Sequence, residues 1–251
     1  MTGTHGYYEG LCNLCGAKGR FEGELRRARE QFPCPSCGAT LRYRDQAAAI
    51  LTHFADGREV FLDRFVRSDA CKRLSVLEAA IRGPFIRRFR HLPHYTQSYL
   101  FEGVPPGEKR DGVVCQDLER MTFADESFDL VVSSDVMEHV AHPRVAFSEI
   151  GRVLKAGGAH VFSVPIRWPI EPNSTGRARL VNGRLEHLLE PCYHRSGFDE
   201  PSLVFTDFGA DLLEWHRQSG LRARFFNGHR MVDTLGRFPA VIAIKTGRSA
   251  A

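Results

Sequence analysis

No apolar run in this 251-residue chain approaches the roughly 18 residues that cross a bilayer, which excludes a helical membrane span. The opening MTGTHGYYEG lacks the charged-then-apolar build of a secretory leader, so the expected protein is soluble and cytoplasmic, without a membrane partner. Catalytic signatures are scarce too. The absence of a P-loop, a Gly-x-Ser-x-Gly elbow and a His-Glu-x-x-His pair removes the nucleotide triphosphatases, hydrolases and metalloproteases that carry them. Charge of one sign is also lacking: Lys and Arg total 34 against 30 Asp and Glu, a net +4. The basic residues (Arg26, Arg27, Arg87, Arg88 and Arg90 among them) are scattered and form no long tract. A nucleic-acid partner is therefore permitted but not demanded.

Seven cysteines are an odd number for a disulfide framework, and four of them stand in two Cys-x-x-Cys pairs. Cys12-Asn-Leu-Cys15 and Cys34-Pro-Ser-Cys37 are each followed by glycine, Gly16 and Gly38. Two intervening residues let both thiolates of a pair turn onto one ion, and two such knuckles complete the tetrahedral sulfur shell that zinc favours. A shell closed by four thiolates leaves no open position, so the expected role of this zinc is structural. Cys71, Cys115 and Cys192 read as packing residues. Residues 1–41 are thus expected to form a zinc ribbon. Residues 42–70 are read as linker helices: the LRYRDQAAAILTHFAD segment puts Ala47, Ile50, Leu51 and Phe54 at helical spacing, with Gly57 as a stop. Arg42 and Arg44 are expected on its solvated face, with a cleft lining as the alternative.

From Leu74 onward, strand and helix patterns alternate. Strands are expected at Leu74–Ala79, Tyr95–Phe101, Gly112–Cys115, Phe128–Ser133, His160–Val164, Arg222–Asn227 and Ala240–Thr246, the last two as a hairpin. Helices are expected at Arg82–Arg90, Val145–Leu154 and Asp207–Ser219, the second burying Val145, Phe147, Ile150, Val153 and Leu154. This is the pattern of an α/β, doubly wound, Rossmann-like and mostly parallel sheet, occupying residues 71–251. Ligands in such sheets sit beyond the carboxyl ends of the strands. Residues 166–201 carry few periodic signals and follow a strand that ends at the ligand side, so they are expected to form a substrate lid. Asn182-Gly183 within it predicts a small hairpin turn. Trp168, Arg177, Arg179, Tyr193 and His194 are its candidate substrate contacts; the two arginines suit a phosphate or carboxylate.

The most chemical segment is Ser133-Ser134-Asp135-Val136-Met137-Glu138-His139. If Asp135 opens a helical turn, Glu138 and His139 lie three and four residues on and share its face. Two carboxylates and an imidazole on one face need something cationic between them, and mixed oxygen and nitrogen donors suit Mg2+, Mn2+ or Zn2+. His139 as a metal-free base, or a purely structural role for the segment, are the alternatives.

The block from Asp117 to Pro165 resembles the class I S-adenosylmethionine (SAM) dependent methyltransferases, in their type 11 branch. The resemblance runs from about Leu74 to Leu221. It implies that Glu78 and Gly83 belong to the cofactor turn after the first strand, where Ala79 and Ala80 replace the usual glycines. It implies Gln97 or Glu102 for the ribose, Asp117 and Leu118 for the adenine, and Ser134 beside the cofactor. Lys155-Ala-Gly157-Gly158 corresponds to the family's turn before the fifth strand, with a geometric role. Asp135-x-x-Glu138-His139 is similar to the Glu-x-x-Glu-His motif of metal-assisted O-methyltransferases, which implies Asp135, Glu138, His139 and His194 (preferred over His187) as catalytic metal ligands. The implied protein is a SAM-dependent methyltransferase, O-methylating a small polar or sugar-like metabolite. A ribbon-guided RNA methyltransferase and a non-catalytic, methyltransferase-like binding protein are the rival readings.

Overall fold

In a computed structural model, residues 5–55, 61–195, 201–226 and 240–247 are described. Gly57, Asn227, Gly197 and the stretch 196–200 of the expected lid lie outside them. The chain opens with an antiparallel hairpin, β1 (His5–Leu11) and β2 (Lys18–Glu24), whose turn holds the first cysteine knuckle. A 3-10 segment, Leu25–Glu30, leads through the second knuckle to helix α1 (Leu41–Phe54). Three single-turn helices follow or interleave: α2 (Leu62–Phe65), α3 (Asp69–Lys72) and, after strand β3 (Val76–Ala79), α4 (Ile86–Phe89).

The sheet continues with β4 (Tyr95–Tyr99), β5 (Lys109–Arg110), β6 (Val113–Cys115), β7 (Phe128–Ser134) and, after helix α5 (Pro143–Val153), β8 (Leu154–Ser163). Short pairs then form an arm: β9 (Thr175–Gly176) with β14 (Thr206–Asp207), β10 (Ala178–Val181) with β11 (Arg184–His187), and β12 (Tyr193–Arg195) with β13 (Pro201–Leu203). Helix α6 (Leu212–Gln218) and the strands β15 (Leu221–Phe226) and β16 (Ala240–Lys245) finish the domain.

Eight strands form one sheet in the order β15-β16-β8-β7-β3-β4-β6-β5. The five from β8 to β6 are mutually parallel, whereas β15, β16 and β5 run antiparallel to their neighbours. The chain winds outward from β3 in one direction through β4 to β6, then returns beside β3 to lay down β7 and β8. The crevice between these two halves is the switch point at which doubly wound sheets bind ligands. The expected terminal hairpin is the β15–β16 pair.

Both faces of the sheet are covered. On one, Leu77, Val131, Phe162 and Val241 pack under α5 and α6, chiefly against Phe147, Ile150 and Leu212. Val145, expected inside, is 47% exposed, because the buried stripe of α5 runs through Ala146, Phe147, Ile150 and Val153. On the other face, Val76, Leu130, Val132 and Val161 join one continuous apolar cluster with Ile50 of α1 and with Leu14 and Phe21 of the cysteine hairpin. The ribbon is thus built into the main core. Leu154 is buried as expected but belongs to β8, which starts earlier than its apolar pattern suggests. A two-residue step along β7, from Phe128 to Leu130, faces a five-residue step along β8, from Leu154 to Ala159. The intervening Lys155–Gly158 bulges out of register. A Cβ at Gly158 would come within 2.9 Å of the Asp129 carbonyl oxygen, so the bulge needs glycine there.

Arg42 and Arg44 are not on a solvated face. Arg44 is fully buried over the Phe21 ring at 4.0 Å, donates to the Phe32 carbonyl at 2.8 Å and bonds the Tyr8 hydroxyl. Arg42 is 7% exposed. An apolar helix face would have let α1 pack on the sheet alone; these arginines also tie it to the ribbon.

Candidate functional site

A cleft of about 1000 Å3 opens at the carboxyl ends of β3, β4, β6, β7 and β8. Its walls include Ala79, Ala80 and Ile81 after β3, Ser98 and Tyr99 at the end of β4, Asp117 and Leu118 after β6, and Ser134 and Asp135 at the end of β7. This is where the sheet topology directs a ligand.

The turn after β3 accommodates its alanines. Neither Ala79 nor Ala80 has a positive φ, and the left-handed demand falls on Gly83 alone, at φ 146°. Gln97 donates to the Ala80 carbonyl at 2.9 Å, so it braces this turn and does not line the cleft. Glu102 and Gly83 do not line it either, and Glu102 is exposed. Glu78 points away as well: it is 2% exposed and accepts from the Tyr95 hydroxyl at 2.9 Å. Of the residues expected around the cofactor, Asp117, Leu118 and Ser134 line the cleft directly. One Asp117 oxygen accepts from the Glu119 N–H at 2.9 Å, which fixes the carboxylate at the lip. Ser134 donates to Gln46 at 2.9 Å, and Gln46 in turn donates to the Ser133 carbonyl at 3.1 Å, so α1 clamps the end of β7.

Burial pushes the Glu78 carboxyl up to about 8, opposed only by the Tyr95 hydrogen bond. The folded protein therefore keeps a proton that the unfolded chain releases above about pH 4.5. Stability present below pH 4.5 is lost as the pH rises towards 8. Glu78→Gln should remove that loss: the unfolding free energies of variant and wild type should match near pH 4.5 and separate by a few kcal/mol in favour of the variant by pH 8. Parallel melting curves at every pH would contradict it.

After β7 the geometry departs from the expected helical turn. Asp135 adopts a left-handed φ of 54°, and the following turn, Met137–His139, is a 3-10 helix. The i, i+3, i+4 face of an α-helix does not form, so Asp135 separates from Glu138 and His139. Asp135 instead receives both guanidinium nitrogens of Arg29, at 2.5 and 3.0 Å, and the Ser163 hydroxyl at 3.0 Å, with Arg42 at 3.4 Å. Burial would raise its pKa, but Arg29 and Arg42 outweigh that and hold the carboxyl below its usual range. The cation beside Asp135 is supplied by the ribbon.

Glu138 meets both histidines. It is 1% exposed, and neither carboxylate oxygen has a hydrogen-bond partner. Its Oε1 lies 3.8 Å from His139 Nε2 and 3.6 Å from His194 Nδ1, and one donor atom from each of the three falls within 4.8 Å of the others. His139 Nδ1 sits 2.7 Å from the Leu203 carbonyl, which can only accept, so that nitrogen donates and Nε2 is the ring atom turned towards Glu138. Glu138 also holds the His194 imidazole above its usual pKa. Around an ion with bonds of about 2.1 Å, neighbouring donors stand about 3.0–3.4 Å apart, so sub-ångström side-chain shifts would close the shell. An unsatisfied buried carboxylate facing two imidazoles fits a divalent cation.

The expected lid contributes less than its sequence suggests. Asn182 and Gly183 form the predicted turn with φ of 51° and 75°, joining β10 to β11. His194 and Leu180 reach the cleft; Trp168, Arg177, Arg179 and Tyr193 do not. Arg177 is committed to Asp207 and the Glu190 carbonyl, at 2.8 and 2.7 Å, and Arg179 pairs with Glu186 across the hairpin at 2.9 Å. Trp168 and Tyr193 are more than half exposed. Cleft residues that the sequence does not flag are Arg29 and Glu30 of the ribbon, Tyr43 of α1, and Ser202 and Phe205 of the arm. Arg29 lies 106 residues from the aspartate it grips, and no local pattern carries that pairing.

The four knuckle sulfurs converge. Cys12 and Cys37 are 3.8 Å apart, Cys15 and Cys34 3.6 Å, and one atom from each lies within 4.8 Å of the rest. The edge of a sulfur tetrahedron with zinc bonds of about 2.3 Å is about 3.8 Å, so the cluster fits that ion. Cys71 and Cys115 are buried packing residues, and Cys192 is half-buried.

Residues 103–162 match the family model of a methyltransferase domain. A methyltransferase of Mycolicibacterium gilvum (strain PYR-GCK), itself uncharacterized, is 34% identical over 110 residues, which is 42% of this chain and 43% of that protein. One from Mycobacterium leprae (strain TN) is 32% identical over 110 residues, 42% of this chain and 40% of its own. The chain thus spans about two fifths of the length of these curated relatives. Among solved structures, a sugar N-methyltransferase from Streptoalloteichus sp. ATCC 53650 superposes with a TM-score of 0.45 and 15% identity, over 74% of this chain and 85% of that one. A 1,6-didemethyltoxoflavin-N1-methyltransferase from Burkholderia thailandensis does so with 0.42 and 16%, over 86% and 95%. No described helix is long and apolar enough to cross a membrane. The segment 103–162 is thus similar to a methyltransferase domain, and it lies in a doubly wound, Rossmann-like sheet with a cleft at its switch point.

Proposed function

We propose that the protein is a SAM-dependent methyltransferase that O-methylates a small polar, hydroxyl-bearing acceptor with the help of a divalent cation, and that the ribbon holds a structural zinc. The observation that carries the cofactor part is the cleft itself, with Asp117-Leu118 and the Ala79–Ile81 turn as facing walls at the switch point. SAM, when bound, supplies an electrophilic methyl group. Asp117 would accept from the adenine amino group, and Leu118 would lie against the ring. The Ala79–Ile81 backbone would run beside the methionine portion, held by the Gln97 brace.

The cation reading rests on Glu138, a buried carboxylate with two unsatisfied oxygens between His139 and His194. These three residues would hold the ion, whose Lewis acidity lowers the pKa of a bound hydroxyl. The Leu203 carbonyl fixes the His139 tautomer, and the burial of Glu138 keeps water from competing for the donors. Asp135 drops out of the ligand set because Arg29 already neutralises it.

Asp117→Ala tests the cofactor assignment. One charge-assisted hydrogen bond contributes about 1.5–3 kcal/mol, so SAM affinity by calorimetric titration should fall at least about tenfold with the melting temperature little changed. An unchanged affinity would remove Asp117 from the site.

A further inference from the structure

Some of the arginines that look scattered in the sequence, Arg67, Arg87 and Arg88, converge in space away from the methyltransferase cleft. A groove of about 680 Å3 is lined by Arg67, Lys72, Arg87, Arg88 and His91, with Asp63 its one carboxylate. Lys72 stands just before β3 and Pro93, another lining residue, just before β4, so the groove lies at the amino ends of the strands. The cleft lies at their carboxyl ends, and the two share no lining residue. The local charge is stronger than the chain's net +4 suggests: residues 64–94 hold seven Lys and Arg besides Arg82, which lines the cleft, against two acids, Asp69 and Glu78. Glu78 is buried inside the sheet and offsets none of this at the surface.

The groove is propped by the ribbon. The Leu62 and Asp63 N–H groups at the start of α2 donate to the Asn13 and Leu14 carbonyls of the first knuckle, at 2.7 and 2.8 Å. Asp63 then pairs with Arg88 at 2.5 Å, and Arg88 donates to the Pro84 carbonyl at 2.7 Å, which anchors α4 as the opposite wall. With Asp63 spent on Arg88, and Lys72 held only by Asp69 at 3.4 Å, the exposed Arg67 and Arg87 have no carboxylate partner among the described residues. Like charges gathered in a concave, low-dielectric wall raise the local concentration of anions.

We infer that this groove is a second binding site, for the phosphate groups of a phosphate-rich anion. A membrane surface is disfavoured, because the site is concave and its apolar lining is limited to the half-buried Val66, the buried Leu92 and Pro93. No Phe, Tyr or Trp lines it, and its polar groups are chiefly cations, which favours recognition of phosphate over recognition of base sequence. Two sources fit that chemistry: the backbone of a nucleic-acid strand, or the diphosphate of a nucleotide-linked small molecule. The inference is independent of the methyltransferase reading, since it uses none of that cleft's residues.

The test is fluorescence anisotropy on the zinc-loaded protein in about 50 mM salt, with two probes: a labelled single-stranded RNA of about 12 nucleotides and a labelled nucleoside diphosphate. Arg67→Glu/Arg87→Glu is compared with Arg222→Glu, an exposed change on the edge strand β15. At least one probe should bind in the range of about 1–100 μM, with log affinity falling against log salt at a slope of roughly −2 for RNA. The double variant should weaken binding at least about tenfold and Arg222→Glu should not, with melting curves showing all three proteins folded. RNA binding without diphosphate binding identifies a strand track, and the converse a diphosphate pocket. Failure of both probes to bind wild type, or equal binding by the double variant, overturns the inference.

Discussion

Removing the zinc proposed for the ribbon, by chelation or by Cys34→Ser, should unfold far more than the ribbon. A structural zinc shell contributes on the order of 10 kcal/mol of apparent folding free energy, comparable to the whole stability of a domain. Here the shell's neighbours Leu14 and Phe21 belong to the same apolar cluster as Ile50 of α1 and Val76, Val132 and Val161 of the central sheet. The first knuckle also accepts the backbone N–H groups that start α2. Loss of the ion should therefore abolish the cooperative melting transition at ambient temperature, with stoichiometric zinc restoring it. Calorimetry with metal analysis checks this. A metal-free protein that melts like wild type, or a wild type that holds no zinc, would contradict it.

The second large effect is expected at Glu138. In wild type, metal analysis should find the ribbon zinc plus one further divalent ion per chain in the presence of Mn2+ or Mg2+. Glu138→Gln should keep the first and lower affinity for the second at least about a hundredfold, since even indirect supports of a metal site cost tenfold to a hundredfold. Chelator-sensitive methyl transfer should disappear with it. The stability effect should have the opposite sign. Glu138 is a buried carboxyl with no hydrogen bond to either oxygen, so an amide of the same size should leave the metal-free melting temperature equal or higher. A destabilised Glu138→Gln with unchanged metal content would assign Glu138 a structural role.

What could be read from the sequence was what local periodicity and spacing encode. Apolar runs such as Phe128–Val132 have one low-energy place, inside a parallel sheet, and the two Cys-x-x-Cys-Gly knuckles converge as their turns require. Asn182-Gly183 made its hairpin because both residues tolerate a positive φ. The misreadings share a cause, which is long-range charge pairing. Asp135 looked like a metal ligand because Arg29 is 106 residues away, and that partner changes both its neutralising cation and the path of the next turn. Arg177 and Arg179 looked like substrate contacts until Asp207 and Glu186 were found on them. Arg42 and Arg44 looked solvated because a helix pattern alone cannot show a ribbon packed over it. The cofactor turn differs from the family's pattern for another reason: with alanines at 79 and 80 the backbone takes a different path, and the positive φ falls on Gly83.

Calorimetric titration of the zinc-loaded wild-type protein with SAM tests the central claim most directly. The account predicts one saturable site per chain, in the micromolar range typical of enzyme–substrate binding and weakened by Asp117→Ala. Absence of binding heat at high micromolar SAM, with the protein folded and zinc-replete, would leave a methyltransferase fold without a methyltransferase's cofactor and would contradict it.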